Sequence, residues 1–263
     1  MQIGFYALMF VVGAAMGSFL VCQAWRLRYR ATGKKKLGKR SVCLSCGKQL
    51  KWYDNIPIVS WLVLGGKCRY CKKPIGVTEF LAEILMAFAF LGVATTVDIL
   101  SLSVMGYVIF AMLLVLILSL GFLAIYDAKW CELPQAVLIF SVICAIILTI
   151  MQQWSLLSVT GFSWGAILNI LGAVAILGGV YLLLYLISKG KWVGDGDWIL
   201  GVALGLALGD AWLALIALFI ANFLGCIVMA PMKLKRIPFG PFMVIAFVIV
   251  TVFAEFFSRL LVW

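Results

Sequence analysis

Six apolar blocks run along the 263-residue chain, at about 3–25, 77–126, 133–151, 164–187, 198–230 and 237–258. A hydrocarbon core about 30 Å thick needs roughly 20 helical residues to cross it. The blocks 77–126 and 198–230 are too long for one crossing, and each divides at an acid, Asp98 and Asp210. The pattern predicts an all-α polytopic membrane protein with about eight transmembrane segments. One of them, 198–209, has only twelve residues and cannot span as an ordinary helix.

The polar intervals between the blocks are short, with one exception, residues 26–76. The expected organisation is therefore a first transmembrane segment (1–25), a cytoplasmic insertion (26–76) and a membrane core (77–263). The insertion opens with the basic run "RLRYRATGKKKLGKR", which suits a flexible, headgroup-facing linker. Composition removes the soluble alternative, since 65% of residues are hydrophobic against roughly half in an average globular domain.

Charge sets the expected orientation. Of 21 Lys and Arg, fourteen lie between Arg26 and Lys73. Lys129, then Lys189 and Lys191, then Lys233, Lys235 and Arg236 fall in every second connection after that, while 97–103, 152–163 and the turn near 210 carry none. By the positive-inside rule the basic connections are cytoplasmic and both termini face outward, in the inner membrane of a cell. The +11 net charge then needs no nucleic acid as partner, and it favours anionic membrane lipids. The first segment has its basic residues after the apolar run, which reads as a membrane segment and not a cleaved signal peptide.

Four of the eight cysteines form a pattern. Cys43-x2-Cys46 and Cys68-x2-Cys71 are separated by twenty-one residues, a spacing that lets two knuckles fold back to offer four thiolates to one zinc. Four cysteines close the coordination sphere, so the expected zinc is structural. Cys22, Cys131, Cys144 and Cys226 lie in or beside helices and are expected as small buried apolar residues.

The chain has no histidine, which excludes Ser-His-Asp and Cys-His catalysis and histidine metal sites. Ten acids remain. Asp98 and Asp210 fall at external turns and Glu255 near the external end of the last helix, where solvation accounts for them; Glu79 and Glu83 share a face at the start of the second helix. Asp127 ends the third segment and Asp197 begins the sixth, both at the cytoplasmic boundary. Two acids at one depth can share a proton, one acting as base toward water and the other as acid toward a carbonyl. Gly194 and Gly196, flanking Asp195 in "GDGD", allow a sharp bend and close approach there.

The same residues resemble a family. "GSFLVCQAWRL" (17–27), the cysteine segment with its "WYDNIP" core (43–76), "DAKWCELP" (127–134), "GDGD" (194–197) and "IPFGPFMVIA" (237–246) occur in order. Together they resemble the prepilin peptidases, or type IV leader peptidases, among the intramembrane GxGD aspartic proteases. The resemblance departs at Val21, Gln135, Lys48 and Gly65. It implies Asp127 and Asp197 as the catalytic pair, with Asp195 a neighbour, and a type IV pilin-like precursor with a basic leader as substrate. It also implies N-methylation of the new N-terminus with S-adenosylmethionine as cofactor, as in many members, although no methyl-donor residues can be named. The competing expectations are a cation transporter and a non-enzymatic scaffold.

Overall fold

The computed structural model describes residues 2–33, 40–161, 163–191, 193–229 and 238–259. The Lys233, Lys235 and Arg236 cluster, the lysines of 34–39 and Ile237 of the "IPFGPF" motif lie outside the described residues. Two compact units result, Met1–Ala94 and Thr95–Trp263.

The first unit holds helices α1 (Gln2–Ala31), α2 (Val59–Val63) and α3 (Val77–Thr95). Helices α1 and α3 meet through small residues. A Cβ on Gly13 would collide with the backbone of Met86 and Ala87, and one on Gly17 with that of Ala82 and Glu83. The register runs in opposite directions, so the helices are antiparallel, and Phe10 meets Phe88 edge-on at 5.6 Å. The glycine spacing of the first segment thus serves close backbone approach.

The second unit holds α4 (Val104–Trp130), α5 (Gln135–Thr160), α6 (Trp164–Val174), α7 (Val180–Ser188), α8 (Asp195–Leu208), α9 (Ala211–Met229), α10 (Gly240–Val252) and α11 (Ala254–Arg259). Helices α6 and α7 form one rod interrupted by a π turn, Ala175–Gly179. Each of the eight expected segments is helical. Among the described residues six of these helices are long and apolar enough to cross a membrane, and the other two are α8 and α10. Helix α5 runs on to Thr160, past the apolar block ending near 151, because "QQWSLLSVT" keeps helical geometry after the hydrophobic stretch stops.

Side-chain placement is that of a lipid-soluble surface. Ala87, Ala145, Ala173, Ala203, Ala214 and Ala246 are enclosed, whereas Ile146, Leu168, Leu183, Phe219 and Phe223 point outward. Apolar burial gives little net drive between helices in lipid, so small residues and polar bridges do the joining. Helix α5 stands between α4 and α8. Ser141 Oγ bonds Ser119 Oγ of α4 at 2.9 Å, and Thr149 Oγ1 donates to Leu206 O of α8 at 2.7 Å. Helix α8, fourteen residues and about 21 Å long, is too short to span. It is enclosed instead by α5, α6, the π turn, α7 and α10. Gly201 and Gly205 lie on Leu177 and Ala173, again in antiparallel register.

Candidate functional site

Asp127 lies in the last turn of α4 and is 5% exposed; Asp197 lies in the first turn of α8 and is 8% exposed. Helices α5 and α10 each pack against both α4 and α8, which brings the two acids to one end of the bundle. The carboxylates are within electrostatic reach of each other. Both are held the same way. Asp127 Oδ2 accepts the backbone N–H of Gly240 at 2.9 Å, and Asp197 Oδ2 accepts that of Gly194 at 2.9 Å.

Each donor belongs to a helix N-terminus. Gly240 opens α10 and Gly194 is the N-cap of α8. The first amides of a helix have no intrahelical acceptor and carry positive partial charge, so each suits a carboxylate. Neither Asp127 nor Asp197 makes a further hydrogen bond to protein among the described residues, which leaves each Oδ1 for water or substrate.

The glycines have specific duties. A Cβ on Gly196 would sit 2.9 Å from Leu133 Cβ and Cδ1 and 3.1 Å from Leu138 Cδ1. Leu133 is the leucine of "DAKWCELP", so the two aspartate motifs touch through the glycine of one and the leucine of the other. A Cβ on Gly240 would come 3.0 Å from Asp127 Oδ2. Asp195 is exposed, unlike Asp197.

Two features escaped sequence reasoning. One is the Gly240 amide; the "PFGPF" segment was visible as a motif but not as a donor. The other is Tyr181, just after the π turn, which is buried and within electrostatic reach of Asp197. Its hydroxyl accepts from Asn222 Nδ2 at 3.3 Å and its ring meets Phe239 at 5.3 Å. A π turn inserts one extra residue into a helix and often marks a functional position; no hydropathy pattern reveals it.

In the first unit the four Sγ atoms of Cys43, Cys46, Cys68 and Cys71 lie within 4.8 Å of one another, with Cys43 and Cys71 at 3.9 Å. Tetrahedral zinc with bonds of about 2.3 Å needs sulfurs about 3.8 Å apart, so the donor set fits the ion. The knuckles are copies. Val42 bridges Gln49 and Lys67 bridges Pro74. Cys43 N–H donates to Lys48 O and Cys68 N–H to Lys73 O, both at 2.9 Å. The two thiols differ in acidity: burial pushes Cys43 up to about 11 against the backbone amides of Cys46 and Ser45, whereas the amides of Cys71 and Tyr70 bring Cys68 down to about 7. Gly47 and Lys72 fill the same left-handed position, at φ 71° and 58°.

Four of the other acids make structural contacts. Glu83 Oε2 accepts Ile58 N–H at 2.8 Å, and Glu79 Oε1 accepts Trp25 Nε1–H at 3.4 Å. Asp210 does more than meet solvent. Its carboxylate caps Leu213 N–H and accepts from Asn169, because the tight turn before α9 leaves amides to satisfy. Glu255 lies 3.8 Å from Arg259 on the surface. Cys144 is buried as expected, but Cys131 and Cys226 are exposed; Cys131 terminates α4 in a left-handed conformation instead of packing into it.

The fold and the acid pair thus define a multi-pass helical membrane protein with a two-aspartate centre and a separate four-cysteine cluster. The family model described as Bacterial Peptidase A24 N-terminal domain matches residues 11–97. A prepilin leader peptidase/N-methyltransferase of Dichelobacter nodosus is 34% identical over 217 residues, 78% of this chain and 68% of the relative. That of Aeromonas hydrophila is 28% identical over an alignment covering 92% of this chain and 88% of the relative. That of Vibrio cholerae is 35% identical over 85 residues, 30% of this chain and only 34% of the relative's length. No solved structure matches the chain. The chain belongs to the prepilin leader peptidase/N-methyltransferase family.

Proposed function

We propose that this protein is an intramembrane aspartic endopeptidase that removes the basic leader of type IV pilin-like precursors. The proposed place is the cytoplasmic face of the inner membrane. The observation carrying the reading is the matched pair Asp127 and Asp197: two buried carboxylates on different helices, each with Oδ2 fixed by a helix-start amide and Oδ1 left open.

In this mechanism the pair holds one proton. A water between the two Oδ1 atoms loses its proton to the charged carboxylate as its oxygen attacks the scissile carbonyl carbon. The neutral carboxyl gives its proton to the carbonyl oxygen, forming a neutral gem-diol. The roles then reverse: one carboxyl protonates the leaving amine, the other accepts a hydroxyl proton, and the C–N bond breaks. The Gly240 and Gly194 amides keep both acids oriented throughout, at no reorganisation cost.

Cys43, Cys46, Cys68 and Cys71 would hold one zinc. A closed thiolate shell supplies folding energy to residues 43–71. The relatives are named as N-methyltransferases as well as peptidases, which supports S-adenosylmethionine as a second cofactor; no side chain of this chain is assigned to it. The test is co-expression with a pilin-like precursor, reading leader loss on a gel and the mass of the new N-terminus. Leader loss supports the peptidase, and an added 14 Da on the mature N-terminus, the mass of one methylene, supports the methylation. An intact precursor contradicts the proposal.

A further inference from the structure

Between Lys51 and Lys67 runs a fifteen-residue stretch, "WYDNIPIVSWLVLGG", with a single charged residue. That residue, Asp54, is withdrawn from the surface. Its side chain is 2% exposed and accepts Arg69 Nε–H at 2.7 Å. What the stretch shows outward is apolar: Trp52 at 79% and Val63 at 75% exposure, with Val59 and Leu62 also exposed. An exposed cluster of this kind, on a domain otherwise dense in lysine, marks an interaction surface.

Its depth follows from what it is fastened to. Helix α3 has 19 residues and is about 28 Å long, barely the thickness of the hydrocarbon core. Its first two turns, carrying Phe80 and Glu83, therefore stand at a membrane boundary. Helix α2 is tied to those turns at two points. The Trp61 ring stacks on Phe80 at 4.3 Å, and Glu83 Oε2 holds the Ile58 amide at 2.8 Å. Ile58 is at φ 64°, ψ −55°, a conformation a β-branched residue scarcely adopts. Ile58 is the centre of a γ-turn closed by Val59 N–H on Pro57 O at 2.6 Å, and the Glu83 carboxylate holds the amide of that strained residue. The short Trp52–Asn55 turn packs against α2 and shares its level.

We propose that residues 52–66 form an interfacial membrane contact. Trp52, Val59, Leu62 and Val63 enter the headgroup–acyl boundary of an anionic bilayer, and Lys51 and Lys67 at the two ends meet lipid phosphates. Aromatic and aliphatic groups flanked by lysine are the composition such a boundary selects. The four-cysteine centre is then held flat against the membrane and is not suspended from a tether. This inference requires only that α3 crosses the membrane, so it stands or falls apart from the peptidase reading.

The test uses the full-length protein reconstituted in phosphatidylglycerol–phosphatidylethanolamine vesicles, with a pilin-like precursor present. The photocrosslinker p-benzoylphenylalanine replaces Val63 in one protein, Leu62 in a second, and Ser45, an exposed knuckle residue, in a third. Unchanged zinc content certifies each fold. Irradiation is expected to give a phospholipid adduct at 62 and 63, at least tenfold stronger than at 45. Adducts to the precursor or to a second copy of the chain would overturn the proposal by making the patch a protein-docking surface. No adduct above that at 45 would overturn it by placing the patch in water.

Discussion

The four-cysteine centre and the two-aspartate centre both consist of a doubled element, but the copies are assembled differently. In the cysteine centre each copy is eight residues of chain with its own internal hydrogen bonds, and the copies differ mainly at one backbone position, Gly47 against Lys72. In the aspartate centre each copy is a carboxylate and a helix-start amide. Gly194 and Asp197 are three residues apart, whereas Gly240 and Asp127 are 113 apart. The first centre brings two local turns together at four thiols whose spacing fits one zinc. The second needs four packed helices, with α5 and α10 each touching both acid-bearing helices. Precision comes from a bond network in one case and from helix packing in the other, so the two should fail in different ways.

The largest expected effect is metal removal. Chelation should release one zinc per chain and unfold residues 43–71, since structural zinc contributes on the order of 10 kcal/mol in small metal-held domains. The α4–α10 bundle, with no thiolate link, should keep its helical content and its resistance to protease. Metal analysis with limited proteolysis checks both halves; loss of bundle protection would erase the contrast between the centres.

Gly196→Ala comes next. Its new Cβ meets Leu133 where the aspartate motifs touch, and displacing Asp197 by about 1 Å should cost about 10²-fold in cleavage rate. A second variant, Gly196→Ala with Leu133→Ala, should recover part of the loss by making room. Cleavage assays on purified protein decide it, and equal rates for Gly196→Ala and the parent would show that the motif contact does not position the acid.

The smallest effect sharpens the knuckle comparison. Lys72→Gly should stabilise the cysteine centre by about 1 kcal/mol by relieving a left-handed non-glycine residue, and Gly47→Ala should destabilise it by a similar amount. Zinc affinity by competition with a chelator reads both, and the signs must be opposite.

The contrast also explains what was legible in the sequence. The knuckles were readable because spacing carries their whole geometry, and the eight apolar segments because lipid and water sort residues along the chain. The pairing of α4 and α8 through α5 and α10 was not readable, since hydropathy tells which residues meet lipid and not which helices meet each other. Hence Asp127 and Asp197 could be put at one depth, but the Gly240 amide, the placement of Tyr181 and the cap made by Asp210 could not be foreseen. Cys131 and Cys226 misled for the same reason: a thiol's apolar character says little about whether its face turns inward.

The central claim is that Asp127 and Asp197 act as one unit. The most direct measurement is leader cleavage by purified Asp127→Asn, Asp197→Asn and the double variant, each kept folded as judged by helical content and zinc stoichiometry, with Asp195→Asn beside them. Each single variant should lose cleavage entirely and the double should be no worse than either, because groups that work together are not additive. Asp195→Asn should retain substantial activity. Cleavage surviving in Asp127→Asn, or a dead Asp195→Asn beside an active Asp197→Asn, would contradict the account.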